Sequence, residues 1–229
     1  MEAYKQFLQI DNLLNADQLD EITGMLSMAN FVDGAYSATS AAKLVKKNLQ
    51  IDPNQNASML EELVMQAIGS NQQIQEMLLP KLILPPTFSR YEPGMTYGMH
   101  VDNPLMAKPQ FPPLRTDLGM TVFLSDPDSY EGGELTIHTP TGTYTFKPTK
   151  GSAVIYPTMY IHGVAPITKG TRDAAVTWLQ SMVRDPNQRA ILYSLKSVHN
   201  NMVSTDYDKQ EALRLLQSYS NLMRMWSEL

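Results

Sequence analysis

The sequence predicts an α+β fold in which a jelly roll is flanked by N-terminal helices and followed by a C-terminal helical extension. Two observations predict it. From about Leu82 to Met182, eight short strand-like runs follow one another, separated by Pro and Gly, which is the spacing of a double-sheet roll. Before that stretch, and again after Asp185-Pro186, apolar residues recur at helical spacing instead. A chain of 229 residues suits one domain with an appended helical piece. The expected division is a domain over 1–184, with helices in 1–80 and the roll in 81–184, and an extension over 185–229.

Each element follows from local pattern. Tyr4 to Ile10 alternates apolar and polar, as a short strand does. Asn15 then caps a helix, with Gln18 as its capping-box partner and Leu19, Ile22 and Leu26 on one face. Ala41–Leu49 predicts a second helix. Met59–Ile68 predicts a third, with Ser58 at its N-cap and Glu61 completing the box. The strand runs are Thr87–Tyr91, Thr96–Val101, Leu118–Leu124, Glu134–His138, Tyr144–Phe146, Ala153–Tyr156, Gly163–Pro166 and Ala174–Met182. Thr141-Gly142 marks a hairpin turn. Pro104–Pro113 is proline-rich without period and reads as a loop lying over a pocket. Gln188–Val198 and Tyr207–Trp226 predict two closing helices, the second capped by Thr205 or Asp206.

Composition removes several function classes. No cysteine is present, which excludes disulfides, cysteine-ligated zinc or iron–sulfur clusters, and thiol nucleophiles. Any transition-metal site must use His and carboxylates. The net charge of −5 offers no field for a nucleic acid backbone or an anionic membrane. Lys43, Lys46 and Lys47 cluster and read as a solvated helix face. Met1 to Asn12 lacks the pattern of a signal peptide, and no apolar run approaches a bilayer span. The expectation is a cytoplasmic protein. The fifteen methionines read as packing.

The chemistry-bearing pattern is His100-Val101-Asp102 at the end of a predicted strand. Side chains at i and i+2 of a strand share a face, so the imidazole and carboxylate converge while Val101 turns away. A third ligand must come from elsewhere, and His162 follows the apolar strand Ala153–Tyr156. Two His and one carboxylate on one face of an octahedron leave three positions open, which suits Fe(II) that binds a bidentate co-substrate and O₂. Alone, His-x-Asp is equally a surface His beside a solvated Asp. Arg172 on the next predicted strand can clamp a carboxylate with two parallel hydrogen bonds. Alone, it reads as a surface ion-pair partner. Tyr91 and Tyr97 precede the His-x-Asp and can point phenols into a cavity, or serve as core aromatics. His138 and His199 read as surface or helix-end residues.

The run from Arg90 through Tyr91, Gly94 and Tyr97 to His100-Val101-Asp102 resembles the PKHD-type hydroxylases. These are a branch of the prolyl 4-hydroxylase-like Fe(II)/2-oxoglutarate dioxygenases. Phe31–Gly34, Val45–Gln50, Leu124–Pro127, Tyr130–Leu135, Tyr156–His162, Trp178–Asp185 and Tyr219–Trp226 resemble further parts of that family. The resemblance implies a double-stranded β-helix with Fe(II) on His100, Asp102 and His162. It implies 2-oxoglutarate anchored by Arg172 with Tyr91 and Tyr97 nearby, O₂ as oxidant, and ascorbate as reductant. Succinate and CO₂ would accompany hydroxylation of an unactivated C–H. Two positions depart from the pattern: Gly119 where Ser often stands, and Ala174 where some 2-oxoglutarate enzymes carry Ser. The substrate alternatives are a prolyl residue of a peptide or protein and a small metabolite. A non-catalytic cupin-like metal module is the alternative from a different class. The C-terminal helices either cap the roll or pair two protomers as a homodimer.

Overall fold

The structure is a computed structural model that describes residues 7–38, 40–108, 110–205 and 208–228. Strand β1 (Leu8–Ile10) leads into helix α1 (Ala16–Ser27), and the predicted capping box is present, Asn15 and Gln18 each bonding the other's backbone. The Tyr4–Gln6 part of the first predicted strand lies outside the described residues. Next come β2 (Phe31–Asp33), α2 (Ser40–Val45), β3 (Lys46–Lys47) and β4 (Leu49–Ile51). The expected helix over Ala41–Leu49 therefore stops at Val45. Strand pairing overrides helix propensity beyond it: Lys46 pairs with Tyr97, and Leu49 with Arg90.

Helices α3 (Ser58–Ser70) and α4 (Gln72–Leu78) follow, α4 capped by the Asn71 side chain. The expected Ser58/Glu61 capping box is absent. Ala57 holds the N-cap position with no side-chain cap, and Ser58 is already inside the helix. The strands of the roll are β5 (Pro80–Ile83), β6 (Thr87–Tyr91), β7 (Thr96–His100), β8 (Leu105–Met106), β9 (Leu114–Arg115) and β10 (Leu118–Phe123). They continue with β11 (Tyr130–Gly132), β12 (Leu135–Thr139), β13 (Gly142–Phe146), β14 (Ala153–Pro157), β15 (Ile161–Val164), β16 (Ile167–Gly170) and β17 (Arg172–Ser181). All eight predicted strands are present. The Pro104–Pro113 segment opens on β8, which pairs with β9, and Leu105 to Lys108 border the cavity described below.

The strands form an α+β double-stranded β-helix. One eight-stranded antiparallel sheet runs β1-β14-β10-β17-β6-β4-β2, with β5 also on β17. A five-stranded sheet, β13-β12-β15-β7-β3, faces it. The large sheet's outer face packs on α1, α3 and α4 through Ile22, Leu26, Val64, Ile68, Ile74, Met120, Val122 and Leu179. Burying each such side chain stabilises by roughly 1.5–3 kcal/mol. Between the sheets, Phe123, Leu135, Ile137, Val154 and Tyr156 fill one end, and a cavity occupies the other. Helices α5 (Pro186–Ser204) and α6 (Lys209–Trp226) pack on Leu79 and Val183 through Leu192, Leu222, Met223 and Trp226. They pack against the roll at this end. Asp208 caps α6, while Asp206 and Tyr207 lie outside the described residues.

Candidate active site

Strand alternation places the site. On β17 the side chains of Arg172, Val176 and Trp178 line the inner cavity, while Ala175 and Leu179 join the outer core. On the opposite sheet, β7 would by alternation turn Tyr97 and His100 to opposite faces. A β-bulge prevents this. Val164 pairs with Tyr97 and His162 with His100, so β7 holds one extra residue between the pairs. Both rings therefore enter the cavity, and they stack with centroids 3.7 Å apart. Tyr97 thus meets His100 as a stacked ring, a contact that strand parity does not predict.

His100, Asp102 and His162 converge. Their ligand atoms lie within 4.8 Å of one another. His100 Nε2 is 3.8 Å from Asp102 Oδ1, and His162 Nε2 is 3.5 Å from Asp102 Oδ2. In each imidazole the other nitrogen meets a backbone carbonyl: His100 Nδ1 that of Gly98 at 2.9 Å, His162 Nδ1 that of Tyr160 at 3.0 Å. A carbonyl only accepts, so Nδ1 carries the proton and Nε2 keeps its lone pair for the cluster. Burial, and then the neighbouring His162, push the His100 pKa down to about 4, so the ring is neutral and able to ligate at pH 7. Trp178 Nε1 donates to Asp102 Oδ2 at 2.9 Å and fixes the carboxylate. Nothing in the local sequence around Trp178 marks it for this role. Val101 is half exposed, turned away as expected, though it still touches the cavity rim.

Arg172 is the largest side chain buried at under 2% exposure, at 1%. Its guanidinium carbon lies 5.3 Å from the Tyr91 ring centre and 5.1 Å from that of Phe123. Its Nε and Nη2 are buried without a hydrogen-bond partner. Tyr91 faces it directly across the ladder. The Tyr130 phenol also borders Arg172, which lowers its pKa against the larger upward push of burial. The sequence reading missed Tyr130. Gly133, at φ +71°, lets the Arg172 stem pass: a Cβ there would fall 2.9 Å from Arg172 Cδ.

The two departures have structural counterparts. A Cβ at Gly119 would meet the Tyr156 ring at 3.0 Å, so the missing Ser side chain leaves space that Tyr156 fills beside His162, ring centres 4.9 Å apart. At Ala174, the hydroxyl absent there stands directly across the ladder on buried Ser89.

One reading is corrected. Lys46 does not lie on a solvated helix face. It sits on β3, only 8% exposed, and lines the cavity. His138 is exposed and bonded to Thr143. His199 lies inside α5 rather than at its end, because that helix runs on to Ser204. The cavity encloses about 340 Å³ between the two sheets.

A double-stranded β-helix that gathers two imidazoles and a carboxylate next to a buried, unpaired guanidinium defines the class of Fe(II)/2-oxoglutarate oxygenases. The donor set suits Fe(II), and the orphaned Arg172 nitrogens suit a carboxylate. Comparison with known proteins agrees. The 2OG-Fe(II) oxygenase superfamily signature matches residues 86–180, and the PKHD-type hydroxylase C-terminal domain matches residues 187–228. A PKHD-type hydroxylase of Crocosphaera subtropica is 42% identical over 222 residues, covering 96% of this chain and 99% of its own. One from Klebsiella pneumoniae is 41% identical over 220 residues, covering 96% and 98%. The chain belongs to the PKHD-type hydroxylases and is an Fe(II)/2-oxoglutarate-dependent hydroxylase. The alternative of a non-catalytic metal module is set aside.

Solved structures share the fold at low identity. A Pseudomonas putida prolyl-4-hydroxylase superposes with a TM-score of 0.51 at 19% identity, covering 77% of this chain and 92% of its own. A Trichoplax adhaerens prolyl hydroxylase, solved with a hypoxia inducible factor peptide fragment, gives 0.54 at 16%, covering 81% and 86%. No helix among the described residues is long and apolar enough to cross a membrane.

Proposed function

We propose that His100, Asp102 and His162 hold the Fe(II), that Arg172 binds the distal carboxylate of 2-oxoglutarate, and that the enzyme hydroxylates a C–H of a substrate entering beside Tyr97. The observation that carries this is the buried Arg172, whose Nε and Nη2 face no acceptor. An unpaired buried guanidinium is costly, and a carboxylate removes that cost through charge-assisted hydrogen bonds. The Tyr91 and Tyr130 phenols stand at the same end to add donors. When bound, the metal supplies the activation of O₂ that decarboxylation of 2-oxoglutarate drives. The chain's own residues do the rest. Gly98 and Tyr160 carbonyls hold both imidazoles in one tautomer. Trp178 orients the carboxylate. Phe123, Leu135 and Tyr156 close the inner end to water.

A volume of about 340 Å³ is at the small end for ligand cavities. It accommodates 2-oxoglutarate with a small molecule or one residue of a peptide. A prolyl group, named for the enzymes of similar fold, fits that size.

The test is 2-oxoglutarate turnover. Purified protein with Fe(II), ascorbate and O₂ should form succinate, accelerated by proline-containing peptides or free amino acids. Under anaerobic conditions Fe(II) and 2-oxoglutarate should give the visible charge-transfer band of their chelate. Absence of both band and succinate would reject the proposed function.

A further inference from the structure

We infer that Lys46, with Asn48 beside it, forms a substrate subsite for a carboxylate, so that the hydroxylated molecule is a small organic acid or the carboxyl end of a peptide. The inference rests on the proposed function, in which Arg172 is reserved for 2-oxoglutarate.

The geometry begins with the pattern of burial. Lys46, Asn48 and Gln50 are buried and alternate with the less buried Lys47 and Leu49, as the segment passes from β3 in the small sheet to β4 in the large one. All three line the cavity. Polar groups on a buried face are normally hydrogen-bonded. Here Asn48, 3% exposed, makes no close hydrogen bond through Oδ1 or Nδ2, although the Tyr91 phenol lies beside it, and Gln50 Oε1 is also unpaired. Gln50 reaches only the Ser89 hydroxyl, at 3.4 Å.

Lys46 supplies the charge. Its ammonium donates to Ser37 Oγ at 2.7 Å and lies 5.3 Å from the Tyr97 ring centre. No ion pair among the described residues includes it. An ammonium has three donors, and a cation held out of water requires an opposite charge to offset its desolvation. Asp102 and Asp33 attract it from a distance, but the chain brings no carboxylate within 4 Å among its described residues, which leaves the close position to a ligand.

Position decides which ligand. Tyr97 stacks on His100, so Lys46 stands one aromatic ring from the metal cluster, on the wall opposite Arg172. An acid held there by its carboxylate presents its carbon chain toward the cluster. A neutral amide in the same place adds no charge to that of Asp102 and Asp33. A charge-assisted contact of this kind discriminates by about ten-fold or more.

The experiment uses the full chain loaded with redox-silent Mn(II) and 2-oxoglutarate. Calorimetry measures the binding of matched pairs: the twenty common L-amino acids against their amides, and X-Pro dipeptides with free against amidated ends. At least one acid should bind about ten-fold or more tighter than its amide. Lys46→Met should bring that ratio to within about three-fold while shifting 2-oxoglutarate affinity less than it shifts the acid's. Lys46→Arg should retain the preference for the acid. Whether free amino acids or dipeptide ends prevail identifies the source of the carboxylate. No preference in any pair overturns the inference, as does a preference that survives Lys46→Met. A folded Lys46→Met that loses 2-oxoglutarate and acid equally also overturns it, since Lys46 then serves the co-substrate. If Lys46→Met does not fold, Lys46→Gln is read the same way. Failure of the wild type to bind Mn(II) and 2-oxoglutarate at the outset defeats the proposed function instead, and is seen before any acid is added.

Discussion

Arg172 and Lys46 are both buried cations of one cavity, yet the strands that carry them differ in kind. Arg172 opens β17, the longest strand, which pairs with β10 along one side and with β6 and β5 along the other. Lys46 lies on a two-residue strand at the edge of the small sheet. A side chain on a strand paired along both edges is held in place by the ladder. One on a short edge strand depends on its few contacts, here Ser37 and the Tyr97 face. The first wall suits a group that must hold one invariant co-substrate. The second suits a group that varies with the substrate.

The same difference governs what could be read from the sequence. Arg172 stands two residues before the predicted strand Ala174–Met182, whose Val176, Thr177 and Trp178 mark it, so the neighbouring element was legible. His100 was legible at the end of the predicted strand Thr96–Val101, with Asp102 two residues on, and His162 as a histidine following the apolar strand Ala153–Tyr156. Lys46 was not. Ala41 to Leu49 carries Ala, Leu and Lys, good helix formers, and only pairing with Tyr97 and Arg90 draws its second half into strands. A helical period and a strand period place different residues inward, so the wrong element hid the inward stripe of Lys46, Asn48 and Gln50. The bulge that turns Tyr97 toward His100 also has no local signal, because it arises in the pairing of β7 with β15. The capping box expected at Ser58 is a smaller case: the sequence motif is there, but the helix begins one residue early and the box does not form.

The comparison has meaning only if a metal lies between the two walls. His162→Ala should therefore have the largest effect, removing one of three ligands and with it stoichiometric Fe(II) or Mn(II) binding. Equilibrium dialysis that still finds a full equivalent of metal would remove the ground for both walls.

Arg172→Met tests the fixed wall. Truncating one partner of a buried charge pair costs about 2–5 kcal/mol, so 2-oxoglutarate affinity should fall by roughly a hundred-fold or more. The unliganded protein should behave oppositely. Met keeps the packing against Tyr91 and Phe123 and removes an unpaired buried charge, so the ligand-free Tm should hold or rise. The Tm increase on adding 2-oxoglutarate should vanish. A variant that melts early yet still binds 2-oxoglutarate tightly would make Arg172 a structural residue.

Lys46 permits a test through pH. Burial lowers its pKa from 10.5 to about 8, against the opposing pull of Asp102 and then Asp33. Below about 8 the amine is charged in both the folded and unfolded chains, and the folded chain bears the full cost of burying it. Between about 8 and 10.5 the unfolded chain holds the proton that the folded chain has released, so stability rises with pH. The gain is about 3 kcal/mol at most, or several degrees in a chain of this size. The Tm of the wild type relative to Lys46→Met, in metal-free and ligand-free protein, should thus shift in favour of the wild type between pH 7.5 and 10. A constant gap would show that the amine reaches water.

Trp178 shows how far the fixed wall extends. It shares the inner face of β17 with Arg172, so the strand that steadies Asp102 also carries the proposed carboxylate anchor. Trp178→Phe keeps an aromatic ring at the position and removes the 2.9 Å donor to Asp102 Oδ2. Removing a hydrogen bond that orients a ligand costs roughly ten-fold to a hundred-fold in metal affinity. The substitution should therefore weaken metal binding within that range while leaving the carboxylate-over-amide preference at Lys46 intact. If instead the preference falls together with the metal affinity, the two walls are not separable. The cavity would then respond as one unit to changes on either strand, and the contrast between a fixed and a variable side would fail at β17 itself.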